Sequence, residues 1–90
     1  MLTAAQIRAA RALIGWSQPA LAAAAGLSLP TIVRMEGRQG PGRSAAANVE
    51  AVRRALQAAG VIFIAADDDA GSGVRLKADG LSAVSAHETD

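Results

Sequence analysis

The chain has no cysteine and no tyrosine, and its single histidine, His87, lies close to the C-terminal end. Without cysteine there are no disulfides, thiolate metal ligands or thiol nucleophile. The run Asp67-Asp68-Asp69 lacks the spacing and the closing glutamate of a calcium loop, so we expect a solvated turn there. With no glycine-rich phosphate loop and no paired carboxylates in a plausible cleft, the sequence predicts neither an enzyme nor a cofactor or metal site.

Aromatic residues and long apolar runs are also scarce. Trp16 and Phe63 are the only aromatic residues, and much of the 51% hydrophobic content is alanine. No apolar run approaches the roughly 20 residues that cross a bilayer. The N-terminal segment has arginines at 8 and 11 and no apolar signal-peptide core. We therefore expect a soluble, cytoplasmic protein, and the small area buried per alanine favours oligomerisation.

Charge is distributed unevenly along the chain. Residues 1–54 contain seven arginines against two glutamates, whereas residues 55–90 contain two basic residues against six acidic ones. Arginine suits bidentate contacts to phosphates and to base edges. A basic first half therefore indicates an anionic partner.

Local signals predict a first helix with defined ends. Thr3 and Gln6 have the spacing of a capping box, so the helix begins at Ala4. Gly15 ends it, and Trp16, which follows at a junction between helices, is most simply a core residue.

The second half of the chain predicts one more helix and a hairpin. Residues 37–44 form a loop, and Ser44 caps a helix that runs through Ala59. After Gly60, residues 61–64 and 74–77 have the composition or alternation of two strands. The apolar face of this hairpin packs either on the helices or on a second copy. The predicted organisation is a helical domain over 1–59, a hairpin over 60–77 and a flexible tail over 78–90.

Residues 17–37 are the most informative segment, because they read as two short helices joined by a tight turn at Gly26. Ser17 and Ser28 are candidate N-caps, each followed by a proline two residues on, where its missing N–H costs no hydrogen bond. Positions 29, 30, 33 and 34 share one face of the second helix, while positions 32 and 35 turn toward the core. The apolar or small framework positions are Leu21, Ala22, Ala25, Leu27, Ile32 and Met35.

The spaced pattern of this segment resembles the Cro/C1-type (XRE family) helix-turn-helix domain of phage and bacterial repressors. The matching run is Gln18-x-x-Leu21-Ala22-x-x-Ala25-Gly26-Leu27-Ser28-x-x-Thr31-Ile32-x-x-Met35-Glu36. The resemblance extends over residues 3–58, and the GVIFI…GVRLK hairpin resembles an extension of small regulators of this type. It implies a mainly α, lambda-repressor-like fold of four to five short helices, followed by a two-stranded C-terminal β-hairpin.

The resemblance also implies a function and a set of binding residues. The expected function is that of a transcriptional regulator, in most cases a repressor, which binds an inverted-repeat operator in double-stranded DNA as a homodimer. The residues implied in DNA contact are Gln18, Ser28, Leu29, Pro30, Thr31, Val33, Arg34, Arg38 and Arg43. The apolar hairpin residues predicted to form the dimer interface are Val61, Ile62, Phe63, Ile64, Val74 and Leu76.

Alternatives stay open for several of these residues. Gln18 fits a solvated first-turn residue, Leu29 a core residue, and Pro30 a residue that only fixes the helix start. Arg34 has solvent or a pair with Glu36 as alternatives to a base contact. Four other arginines are expected on solvated helix faces, namely Arg8, Arg11, Arg53 and Arg54. An alternative function is that of an antitoxin or adaptor whose hairpin binds a protein partner.

Overall fold

The computed structural model describes residues 2–78, in which four α-helices precede a two-stranded antiparallel hairpin. This confirms the predicted mainly α architecture with a hairpin. Within the described residues, no helix is both long and apolar enough to cross a membrane. The predicted tail, from residue 79 onward and including His87, lies outside the described residues. The elements are α1 (Ala4–Ile14), α2 (Gln18–Ala25), α3 (Leu29–Met35), a 3-10 turn (Gly40–Arg43), α4 (Ala46–Ala58), β1 (Val61–Ile64) and β2 (Gly73–Leu76).

The caps of α1 form as predicted. The Thr3 hydroxyl accepts from the backbone N–H of Gln6, and the Gln6 side chain accepts from the backbone N–H of Thr3. Gly15 ends the helix in the left-handed conformation, with a φ of 71° that residues with a Cβ rarely adopt. The ends of α1 are therefore set by residues local to it.

The start of α4 differs from the prediction. The helix begins at Ala46, and its N-cap, Ala45, provides no side-chain hydrogen bond. Ser44 lies one position before this N-cap and does not cap the helix. It closes the 3-10 turn instead, with its N–H donating to the carbonyl oxygen of Pro41 at 3.0 Å. The helix also ends one residue sooner than predicted, at Ala58.

One hydrophobic core joins the helices to the hairpin. Trp16 is half-buried against this core, as predicted, and Phe63, Val74 and Leu76 of the hairpin pack on it as well. Of the two packing alternatives for the hairpin, packing on the helices is therefore the one observed. The largest fully buried side chains are those of Ile7, Leu21, Ile32, Met35, Val52, Leu56 and Val61.

The register of the hairpin divides the six predicted dimer residues between two faces. Val61 lies opposite Leu76, and Phe63 opposite Val74. Because directly opposed residues share a face, these four face the chain's own core. Val61 is only 1% exposed and leaves no surface for a second copy, so its assignment to a dimer interface is wrong. Ile62 and Ile64 alternate with the core-facing residues and alone of the six lie on the outward face.

The hairpin is fastened to α1 by the buried side chain of Gln6. Its amide nitrogen donates to the carbonyl oxygens of Gly73, at 3.0 Å, and of Ile64, at 3.3 Å. Its amide oxygen is the acceptor in the α1 capping box. One side chain therefore connects the start of α1 to both strands of the hairpin.

We expect Gln6→Met to lower the free energy of unfolding by about 1–3 kcal/mol, because buried hydrogen bonds are lost while the side-chain volume is nearly kept. Urea unfolding measures the change, and amide hydrogen exchange in the hairpin should accelerate more than exchange in α4. The matched control is Gln57→Met on the exposed face of α4. Equal stability of the two variants would contradict the role given to Gln6.

Candidate nucleic-acid interface

The α2–α3 unit (residues 17–36) is held together by its turn. Gly26 has a φ of 70° and donates its N–H to the carbonyl oxygen of Ala23, while the N–H of Leu27 donates to that of Ala22. These two bonds close the end of α2 and redirect the chain into α3. Both helices then contribute fully buried residues to the core, Leu21 from α2 and Ile32 from α3.

The outward face of α3 carries the four residues whose shared face the sequence predicts. Leu29 is 41% exposed and Val33 is 46% exposed, and Pro30 and Arg34 are exposed as well. The alternative that Leu29 is a core residue is therefore wrong. The outward face of α3 therefore carries two exposed aliphatic side chains, a proline and one arginine.

The start of α3 is capped by hydroxyl groups. The Ser28 hydroxyl accepts from the backbone N–H of Thr31 at 3.3 Å, and the two side-chain hydroxyls share a hydrogen bond of 2.9 Å. Ser28 is exposed and Thr31 half-buried, so both oxygens stand at the edge of the outward face.

A cationic cleft lies beside α3. It has a volume of about 380 Å³, and none of the residues that line it is acidic. Arg34 contributes to it from α3, Arg38 from the following loop, and Arg43 from the 3-10 turn. Ala45 and Asn48 line it from the start of α4, which has no side-chain cap. The structure thus brings together four of the predicted binding residues, Thr31, Arg34, Arg38 and Arg43, around a site suited to anions.

Behind the outward face, Glu36 is a buried carboxylate, with only 2% of its side chain exposed. The guanidinium of Arg11 donates to both of its oxygens, at 2.6 Å from Nε and 2.7 Å from Nη2. The Gln18 amide nitrogen donates to the same carboxylate at 3.2 Å, and the Arg8 guanidinium donates to the backbone oxygen of Glu36. Glu36 therefore joins α1, α2 and the end of α3.

This network corrects three expectations. Arg11 was expected on a solvated face, but its hydrogen bond to the Glu36 carboxylate instead keeps the pKa of the guanidinium above its ordinary value. The alternative in which Arg34 pairs with Glu36 is not observed, since the Glu36 carboxylate is buried against Arg11 and Arg34 is exposed. Gln18 is half-buried and held by Glu36, which is not the position of a freely solvated residue.

A signal for the Arg11–Glu36 pair is present in the sequence. Glu36 follows Ile32 by four residues, and Arg11 follows Ile7 by four residues, so both charges occupy core-facing helical positions. Opposite charges in such positions are stable only when they meet.

In comparisons with known proteins, no family model and no curated sequence matched this chain.

We expect Glu36→Gln to lower the free energy of unfolding by about 1.5–3 kcal/mol, because it removes charge-assisted hydrogen bonds and leaves a partly buried guanidinium without its counter-charge. The matched control is Glu50→Gln, since Glu50 pairs with Arg53 and Arg54 at 3.6 Å and 3.4 Å on the surface of α4. The control should cost at most about 0.5 kcal/mol. Urea unfolding compares the two variants. Similar losses of unfolding free energy would show that the Arg11–Glu36 pair stabilises the fold no more than a surface ion pair does.

Proposed function

We propose that the protein binds double-stranded DNA in a sequence-specific manner and regulates transcription, and that its helical part is a lambda-repressor-like helix-turn-helix domain of the XRE family. The observation that carries this proposal is the pairing of an exposed α3 face with an adjoining cleft lined by three arginines and no acidic residue. A polyanion with a groove wide enough for a helix fits this surface better than a small anion does.

In the proposed complex, α3 lies in the major groove. Its seven residues span roughly 10 Å, and B-DNA offers a major groove about 12 Å wide. Leu29 and Val33 have no hydrogen-bonding side-chain groups and contact thymine methyl groups. Arg34 is the residue on this face able to make a bidentate contact to guanine. Specificity then depends on few hydrogen bonds, and DNA shape contributes the rest.

The phosphate contacts surround this face. Arg38 and Arg43 reach the backbone from the cleft, and the Ser28 hydroxyl stands at the start of α3. Gln18 uses one N–H of its amide group on Glu36, and its second N–H donates to a phosphate oxygen. Phosphate contacts fix the orientation of the protein on the duplex and carry no sequence information.

We further propose that two copies bind one operator. Helix-turn-helix dimers contact half-sites centred about 34 Å apart, which is one turn of DNA, so protein symmetry predicts a near-palindromic site. Repression follows when such an operator overlaps a promoter.

Arg34→Ala should weaken binding to a selected operator about 10- to 100-fold while changing binding to random duplex much less, since a bidentate guanine contact is worth about 1–3 kcal/mol of discrimination. The operator comes from selection of bound duplexes from a random pool, and fluorescence anisotropy measures both affinities. Equal losses on the two duplexes would make Arg34 a phosphate contact. Failure of the selection to enrich any sequence would contradict sequence-specific binding.

Arg38→Ala should weaken binding to all duplexes to a similar degree and reduce the slope of log affinity against log salt by about 1. The matched control is Arg54→Ala, since Arg54 lies on α4, paired with Glu50 and outside the cleft. Salt titrations of wild type and both variants provide the slopes. Wild-type affinity that is insensitive to salt would argue against DNA as the partner.

A further inference from the structure

The hairpin has an outward face that the chain's own core does not use. It consists of Ile62 and Ile64 from β1, and of Gly73 and Arg75, which lie opposite them on β2. Ile64 is 40% exposed and Ile62 is half-buried, and neither isoleucine packs on the core. The hairpin therefore buries one side in its own chain and leaves an apolar strip on the other.

Charges of opposite sign flank this strip at its two ends. Arg75 and Lys77 lie at the end next to Gly60, to which Lys77 is hydrogen bonded, and neither forms an ion pair with residues 2–78. Asp68 and Asp69 lie in the exposed loop at the opposite end, beyond Ile64. Strands of four residues separate the two ends by roughly 13 Å. The face is thus basic toward the Gly60 end, where Arg75 lies beside Ile62, and acidic beyond Ile64.

We propose that this face docks on the same face of a second copy, with the two hairpins antiparallel across a two-fold axis. A two-fold contact repeats the same surface on both partners, so a face with this charge order complements itself only in the antiparallel arrangement. Each basic end then meets the partner's acidic loop, and the isoleucines meet in the middle. A parallel arrangement brings like charges together and is disfavoured.

The surface relief fits the same arrangement. Gly73 contributes no side chain beside Ile64, and a Cβ placed there would meet nothing within 4 Å. Because no β2 side chain covers Ile64 from this position, an isoleucine of the second copy can pack on it, which removes apolar surface of both chains from water.

The proposed contact is small, so we expect a dimer with a dissociation constant in the micromolar range. The inference rests on the proposed function in one respect, since it names the surface by which the proposed DNA-bound dimer forms. Two copies on neighbouring half-sites have a high effective concentration, so a weak contact is sufficient for cooperative binding.

Sedimentation equilibrium without DNA, across the micromolar range, tests the surface. Ile64→Lys should raise the dissociation constant of the dimer by roughly 100-fold, because a buried isoleucine is replaced by a charge in both copies. Leu13→Lys is the matched control, since Leu13 is 43% exposed but lies on α1. A wild type that stays monomeric, or a dimer that both variants weaken equally, would overturn the proposal.

Charge reversal tests the antiparallel orientation and does not depend on the apolar contact. Arg75→Asp should weaken the dimer by roughly tenfold, and adding Asp69→Arg to the same chain should restore it, since both ends are then reversed together. No restoration would overturn the antiparallel arrangement.

Binding of the Ile64→Lys variant to a single half-site and to the full palindrome distinguishes a failure of this inference from a failure of the proposed function. If the docking surface is right, Ile64→Lys keeps its salt-dependent affinity for a single half-site and loses cooperative binding to the palindrome. Loss of half-site affinity in the folded variant would instead contradict the separation of the two surfaces. A wild-type dimer that binds no DNA would refute the proposed function and leave the docking surface intact.

Discussion

The arrangement of the helices depends on one buried charge. Glu36 closes α3 with its carboxylate almost fully removed from water, and desolvation on that scale is tolerable only beside a well-placed cation. Arg11 provides that cation from α1, and Gln18 adds a donor from the first turn of α2. Three helices must therefore meet at one point in one register. Apolar packing alone has no directional preference and specifies such a register less sharply.

The same interaction affects the charge of the surface around the cleft. Glu36 is the only acidic residue before Glu50 in the sequence, and its charge is neutralised inside the molecule. The arginines at 34, 38 and 43 therefore line their cleft without a competing carboxylate. The burial of Glu36 against Arg11 therefore has two results: it stabilises the contact between the helices, and it leaves the neighbouring surface without a negative charge. This explains how a chain with a formal net charge of only +1 presents a strongly basic site.

The features that could be predicted from the sequence are those encoded over a few residues. Thr3 with Gln6 marks the start of α1, Gly26 marks the turn, and the alternation after Gly60 marks a hairpin. The wrong start of α4 has a local cause as well, since the 3-10 turn uses Ser44 before the helix begins. What sequence reasoning missed is long-range. Arg11 and Glu36 are 25 residues apart, and Gln6 reaches strands 58 and 67 residues away.

Helix α1 connects the two surfaces on which the proposals rest. Gln6 fastens the hairpin to α1, and Arg11, five residues later, fastens the α2–α3 unit to it. The two side chains are separated along the helix by only about 7.5 Å, and they leave it in different directions. The hairpin and α3 are therefore held on a common rigid element. In a dimer docked through the hairpins, the two α3 helices are then held at a fixed distance from each other. Binding to half-sites with a fixed spacing requires such a fixed distance.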